Sequence, residues 1–196
     1  LLGRRVERLE GGAGAFVLGT DAGDEVRCKA VLLAAGAGAF GPNRPPLEGL
    51  AAYEAAGGVH YYVRRREDFR GRRVVVAGGG DSAVDWALSL KDVAEKVYVV
   101  HRRAKFRAAP ETAAQLDEAA RRGEIELVIP YQLHALHGAH GALEAVEVAT
   151  LAGETRRLEA DRLLPFFGLS MDLGPIAVRG LEHVKEDFVR RRLSVH

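Results

Sequence analysis

Arg72-Arg73-Val74-Val75-Val76-Ala77-Gly78-Gly79-Gly80-Asp81-Ser82-Ala83 is the stretch that decides the fold. Its first half predicts a strand with a basic entry and a β-branched interior. Gly78-Gly79-Gly80 ends that strand, and Asp81–Lys91 predicts a helix with Ala83, Val84, Ala87, Leu88 and Lys91 on one side at helical spacing. Downstream, Lys96–His101 predicts a second buried strand. Glu111–Arg122 predicts a second helix closed by Gly123, and Ile125–Pro130 a third strand. Parallel strands joined by helical crossovers of this length predict an α/β, Rossmann-like three-layer nucleotide-binding domain.

The flanks are different in character. Upstream, Arg5–Leu9, Ala15–Leu18 and Glu25–Cys28 alternate as strands between Gly-rich turns, and Ala30–Ala34 predicts an apolar strand buried on both faces. A Gly/Pro loop follows, and residues 42–58, with three prolines and Gly57-Gly58 at the end, predict a linker. Downstream, Tyr131–Leu136, Leu143–Leu151 and Thr155–Leu164 predict an antiparallel β-meander with turns at Gly138–Gly141 and Gly153.

Composition narrows the function. With 28 basic against 27 acidic residues among 196, and 47% hydrophobic, the chain suits a soluble globule and excludes a blanket nucleic-acid binder. The longest apolar run near the start, Val31–Phe40, is too short to span a bilayer, so no membrane partner is expected and a cytoplasmic location is. The single cysteine, Cys28, excludes an internal disulfide and any Cys-x-x-Cys pair within these residues. Leu1-Leu2-Gly3 at the start, with Met171 the sole methionine, suggests a segment of something longer.

Gly78-x-Gly80-x-x-Ala83 directly after a strand and opening a helix is a dinucleotide-binding fingerprint. Gly78 permits the tight turn, Gly80 has no Cβ to hold a pyrophosphate off the backbone, and Ala83 lets helix and strand pack closely. Amides near Asp81 and Ser82 would face the diphosphate, aided by the helix dipole. Asp81 is expected to N-cap the helix. At the end of the second strand, where an NAD enzyme commonly has a carboxylate for the ribose hydroxyls, this chain has His101-Arg102-Arg103 and then Arg107. A carboxylate would repel a 2′-phosphate, whereas guanidinium groups can grip it bidentately, so His101, Arg102, Arg103 and Arg107 are expected to hold it. NADPH is therefore the expected nucleotide.

These residues resemble a known family. Gly78-Gly79-Gly80-Asp81-Ser82-Ala83 with His101-Arg102-Arg103-x-x-Phe106-Arg107 is similar to the NADPH domain of thioredoxin-reductase-like flavoproteins. Gly58–Val63, Glu67–Gly71, Asp85-Trp86-Ala87-Leu88, Leu163-Leu164-Pro165-x-Phe167-Gly168 and Leu173–Ile176 resemble the ferredoxin (flavodoxin)–NADP reductases built on that scaffold. Thioredoxin reductases carry a Cys-x-x-Cys shortly before the Gly-rich strand, and Tyr61–Phe69 here holds no cysteine. The resemblance thus implies a one-electron acceptor, ferredoxin or flavodoxin, rather than a dithiol.

It also implies an NADPH domain inserted into an FAD domain. Residues 1–50 would be the late part of the first FAD half and 51–164 the NADP-binding domain. Residues 165–196 would begin the second FAD half and end in a divergent tail. Ala34-Ala35-Gly36-Ala37 matches the family's Ala-Thr-Gly flavin stretch, with Ala35 for threonine, so Ala34 and Gly36 would serve FAD, and Gly168 would lie near the nicotinamide. The family's N-terminal Gly-rich FAD fingerprint and C-terminal Gly-Asp segment are not in these residues, leaving FAD to the full-length family. An NADP-binding module without flavin, a reductase with another acceptor, and a homodimer remain open. No catalytic side chain is expected, since hydride would pass directly between nicotinamide and flavin. His134, His137 and His140 are expected as surface residues of a hairpin, not metal ligands. Cys28 is expected as a small apolar filler and Trp86 as a packing residue.

Overall fold

The computed structural model describes residues 2–12, 14–32 and 40–171. These divide into two compact units: the described residues up to Gly41 with those from Ser170, and Pro42–Leu169.

In the first unit β1 (Val6–Gly12), β2 (Ala15–Thr20) and β3 (Glu25–Cys28) form an antiparallel sheet in that order, matching the alternation of the sequence. Cys28 is half-buried and pairs in register with Phe16. The apolar stretch after it is a correction. Ala30, Val31 and Leu32 form no strand, and Leu32 is exposed; among the described residues no strand pairs with them. Residues 33–34 lie outside the described residues. Two short paired strands, β4 (Phe40–Pro42) and β12 (Leu169–Met171), carry the chain from one unit to the other and back.

The second unit begins where a linker was expected. Within 42–58 the chain forms helix α1 (Leu50–Ala55), whose Leu50 packs with Val59 and Leu143, so burial overrides the loop-like composition. Then come β5 (Arg73–Ala77), α2 (Asp81–Leu90), β6 (Lys96–Val100), α3 (Pro110–Arg121) and β7 (Glu126–Val128). Proline at the first position of α3 suits a helix start, since that N–H would have no intrahelical acceptor.

Strands β8 (Gln132–Ala139), β9 (Ala142–Ala149) and β10 (Thr155–Glu159) form the meander, in order β10-β9-β8. Here the expected single strand Thr155–Leu164 divides in two. After Glu159 the chain leaves the meander, and β11 (Arg162–Pro165) joins the parallel sheet as its fourth strand, in order β11-β5-β6-β7. The break is fixed at Asp161. Its carboxylate accepts the Arg73 backbone N–H at 2.8 Å and the Arg73 guanidinium at 2.9 and 3.2 Å, and its own N–H donates to Arg73 O at 2.8 Å.

Because successive strand residues face opposite sides, the sheet has two cores. Val74, Val76, Val97, Val99 and Leu164 face α2 and α3, meeting Val84, Leu90 and Leu116. Val75, Ala77, Tyr98, Val100 and Leu163 face the meander, meeting Leu143, Val146, Val148 and Leu158. Helices, parallel sheet and meander make the three expected layers. The carboxyl ends of β11, β5 and β6 come out side by side, with Pro165 opposite Ala77 and Ala77 opposite Val100.

Candidate functional site

Strand β5 ends in Ala77, and Gly78 turns the chain with φ 155°, a conformation L side chains rarely adopt. A Cβ on Gly78 would stand 2.7 Å from the Phe166 carbonyl oxygen and 3.0 Å from Ala83 Cβ. Gly78 and the buried Ala83 therefore let α2 close onto the sheet. Gly80 differs: a Cβ there would meet nothing within 4 Å, so the space in front of it is open. No side chain caps α2, and the N–H groups of Asp81 and Ser82 belong to the first turn, where intrahelical acceptors are lacking. An open approach, a bare glycine and a helix N-terminus together suit a diphosphate.

Asp81 does not N-cap α2. Gly80 occupies the N-cap position, and Asp81 Oδ1 instead accepts the backbone N–H of Ala109, the residue before α3, at 2.8 Å. A carboxylate one position inside the helix points past its own first amides and finds a donor in the neighbouring loop.

At the end of β6 the four expected residues fall into two groups. Arg102, Arg103 and Arg107 are exposed, and among the described residues none forms an ion pair, unlike Arg121, Arg122 and Arg156. His101 is 8% exposed. Its ring stacks on Phe106 with centroids 5.0 Å apart, and Nε2 lies 3.3 Å from Lys105 O. Burial pushes the His101 imidazole down, reinforced by the charges of Arg107, Arg102 and Arg103 and opposed by Lys105 O. The loop is also tied to the glycine turn, since Arg107 N–H donates to Gly79 O at 2.6 Å.

Gly168 follows β11 with φ 83°, and its carbonyl accepts the Asn43 N–H at 3.0 Å. It lies two residues beyond Phe166, whose carbonyl crowds Gly78. The fold thus gathers Gly78, Gly80, Asp81, Ser82, Ala83, Arg102, Arg103 and Arg107 at the carboxyl ends of β5 and β6, with Gly168 beyond β11 next to them. Crevices at such strand ends are where open α/β sheets bind ligands. Ala34 and Gly36 lie outside the described residues.

Three residues of this region carry roles that the sequence alone did not assign. Gly79 was an unspecified position between two motif glycines, yet a Cβ on it would stand 2.2 Å from His101 Cε1. Phe106 and Ala109 take part through the stacking and the Asp81 bond. A third consecutive glycine where the turn needs only two was the available signal for the first. The histidines of the meander sit in the β8–β9 hairpin, His134 and His140 exposed and His137 half-buried, with His137 Nε2 3.1 Å from Glu147 and His134 Nε2 3.7 Å from it. Among the described residues no cluster of His, Cys, Asp and Glu could hold a metal ion.

Residues 1–190 match the family model described as pyridine nucleotide-disulphide oxidoreductase. The chain belongs to this family. Among its relatives, a ferredoxin–NADP reductase of Granulibacter bethesdensis is 73% identical over 181 residues, 92% of this chain and 52% of that protein. One from Wolbachia pipientis is 51% identical over 183 residues, again 92% of this chain and 54% of the relative. The chain spans about half the length of the curated relatives it matches. Among solved structures, thioredoxin reductase of Lactococcus lactis in its FR conformation has a TM-score of 0.74 over 91% of this chain and 57% of its own. At 24% identity this is a likeness of fold.

Disulphide exchange needs paired thiols, and these residues hold only Cys28. Of the stretch Tyr61–Phe69, the residues Tyr61, Tyr62, Arg64, Asp68 and Phe69 line a cavity of 440 Å³ with Glu54 and His60, none of them in the glycine turn. There Tyr61 donates to Glu54, which also binds Arg44, and burial with the Glu54 bond pushes the Tyr61 hydroxyl up to about 12. No helix of the described residues is long and apolar enough to cross a membrane.

Proposed function

We propose that the chain is the NADPH-binding portion of a flavin-dependent oxidoreductase that passes hydride between NADPH and FAD, and electrons on to ferredoxin or flavodoxin. The carrying observation is the trio Arg102, Arg103 and Arg107, exposed and outside any ion pair among the described residues, beside a glycine turn left open at Gly80. The names of the relatives support the electron partner.

The residues present fit the nucleotide. Gly80 leaves room for the pyrophosphate, the first-turn amides of Asp81 and Ser82 donate to its oxygens, and Gly78 with Ala83 keeps those amides at the sheet edge. Arg102, Arg103 and Arg107 neutralise the 2′-phosphate, where planar guanidinium groups bind two oxygens at once. By the family resemblance Gly168 would serve the nicotinamide, and Ala34 and Gly36 would serve FAD. FAD, when bound, accepts the hydride pair and releases electrons singly. The reading includes a cytoplasmic location, in keeping with one half-buried free cysteine.

Titration of the chain and of Arg102→Ala with NADPH and NADH tests the reading. NADPH binding should fall about tenfold or more, with NADH changed less than about twofold. Equal losses for both nucleotides, or none, would remove the 2′-phosphate assignment. Following reduction of ferredoxin and of flavodoxin by NADPH with the full-length, flavin-loaded protein tests the acceptor, and reduction of neither would discard it.

A further inference from the structure

His101 stands with three arginines in the sequence, but it is buried where they are exposed. Its backbone is held at both ends, N–H to Val128 O at 3.3 Å and carbonyl to Tyr131 N–H at 3.1 Å. Its ring fills the gap between the glycine turn and the arginine loop. On one side, the place of a Gly79 Cβ is 2.2 Å from Cε1, 2.5 Å from Nε2 and 2.6 Å from Nδ1. On the other, Phe106 stacks with an interplanar angle of 24°. Gly79 needs no glycine for its own backbone, since its φ lies outside the left-handed range; what it lacks is a side chain in the ring's way.

We propose that Gly79, His101 and Phe106 form a clasp that fixes the Arg102–Arg107 loop against the phosphate turn, making His101 a positioning residue and Gly79 a specificity-determining one for 2′-phosphorylated nucleotides. The inference rests on the NADPH reading and deepens it. In such a nucleotide, the 2′-phosphate and the pyrophosphate are a covalently fixed distance apart. A loop that grips one and a turn that grips the other must therefore hold a fixed spacing. Arginine side chains are long and lose much rotamer freedom on binding, so a loop held in place beforehand lowers that cost. The clasp does this with packing and with the Arg107 N–H bond to Gly79 O. Burial pushes the His101 imidazole down, which suits a ring that packs beside three arginines.

The test titrates NADPH and NADH into the 196-residue chain and into Gly79→Ala, His101→Ala, the double variant and His101→Phe. Gly79→Ala and His101→Ala should each weaken NADPH about tenfold and leave NADH within about twofold, which also certifies the fold. The double variant should be no worse than either single one, because the ring that the new Cβ displaces is gone. His101→Phe should keep the NADPH preference, since shape and not charge is required. Losses in His101→Phe equal to those in His101→Ala would show the imidazole meeting the phosphate itself and overturn the clasp. Equal weakening of NADH by Gly79→Ala, or additive losses in the double variant, would overturn it too while leaving the NADPH reading standing. A parent chain without preference for NADPH would overturn both. Should a variant not fold, Phe106→Leu supplies the same comparison from the other side of the ring.

Discussion

Asp81 Oδ1 accepts the backbone N–H of Ala109 at 2.8 Å, joining the first residue of α2 to the N-cap residue of α3 across 28 positions. The two crossover helices thereby start from a shared anchor. A carboxylate that would otherwise repel an arriving phosphate is engaged with a backbone donor.

Removing that acceptor should cost stability. Asp81→Ala leaves the Ala109 N–H to water, with an expected loss of about 1 kcal/mol at this exposed site. Asp81→Asn keeps an oxygen acceptor and should lose less than half as much. Urea unfolding of both variants is the measurement, and an Asp81→Ala variant as stable as the parent would show the bond to be without consequence.

Gly78 and Gly80 look equivalent in the motif and should behave in opposite ways. Alanine at Gly78 meets the Phe166 carbonyl at 2.7 Å with φ at 155°, so the folded state should lose about 3 kcal/mol or more. Alanine at Gly80, where φ is −97° and nothing lies within 4 Å, should leave stability within about 0.5 kcal/mol. Its added Cβ stands where the pyrophosphate would come, so NADPH and NADH should both weaken by about tenfold. Thermal melts paired with nucleotide titrations separate the two effects. A Gly80→Ala variant that binds both nucleotides normally would move the pyrophosphate elsewhere.

Those two glycines mark how far the sequence was legible. The strand–turn–helix rhythm, the parallel sheet and the meander follow from local periodicity and motif spacing, and the family from a resemblance of whole motifs. The misreadings come from partners distant in the chain. Thr155–Leu164 alternates well enough to pass for one strand, and only Asp161, bonded 88 residues back to Arg73, divides it. His101 carries the same polar signature as Arg102, and its burial depends on Gly79 and Phe106 arriving from two directions. Helix α1 hid in a Pro/Gly-rich stretch because Leu50 gains its core only when Leu143 and Val59 are in place.

The Arg73–Asp161 pair should be a stability element without a part in selectivity. It sits at the entry of β5, the opposite end of the strand from Gly78, and its side chains are 32% and 24% exposed. Asp161→Ala strands the Arg73 N–H in a half-buried place and leaves the guanidinium only Glu159 at 3.7 Å, and should cost about 2 kcal/mol. The NADPH-to-NADH affinity ratio should stay as in the parent. A changed ratio with unchanged stability would reverse the assignment.

Acid should unfold the protein in two stages. Burial pushes His60 down, with Arg162 adding to the shift and Gly57 O and Asp68 opposing it, and His101 is pushed down by burial and the neighbouring arginines. The unfolded chain therefore binds these protons more readily than the native one. The stability they contribute is present above about pH 6.5, the ordinary histidine value, and is lost as pH falls through the lower native values. The Asp161 carboxyl is held low by the Arg73 hydrogen bonds, against its burial. Its contribution persists further down and disappears only as pH falls below about 4, through its native value. Urea midpoints followed from pH 8 to pH 3 should accordingly drop first below about 6.5 and again below about 4. His101→Phe should shrink the first drop and leave the second, whereas Asp161→Asn should do the reverse. A stability flat from about pH 7.5 to 5 would mean that both imidazoles titrate in the native protein as they do in water.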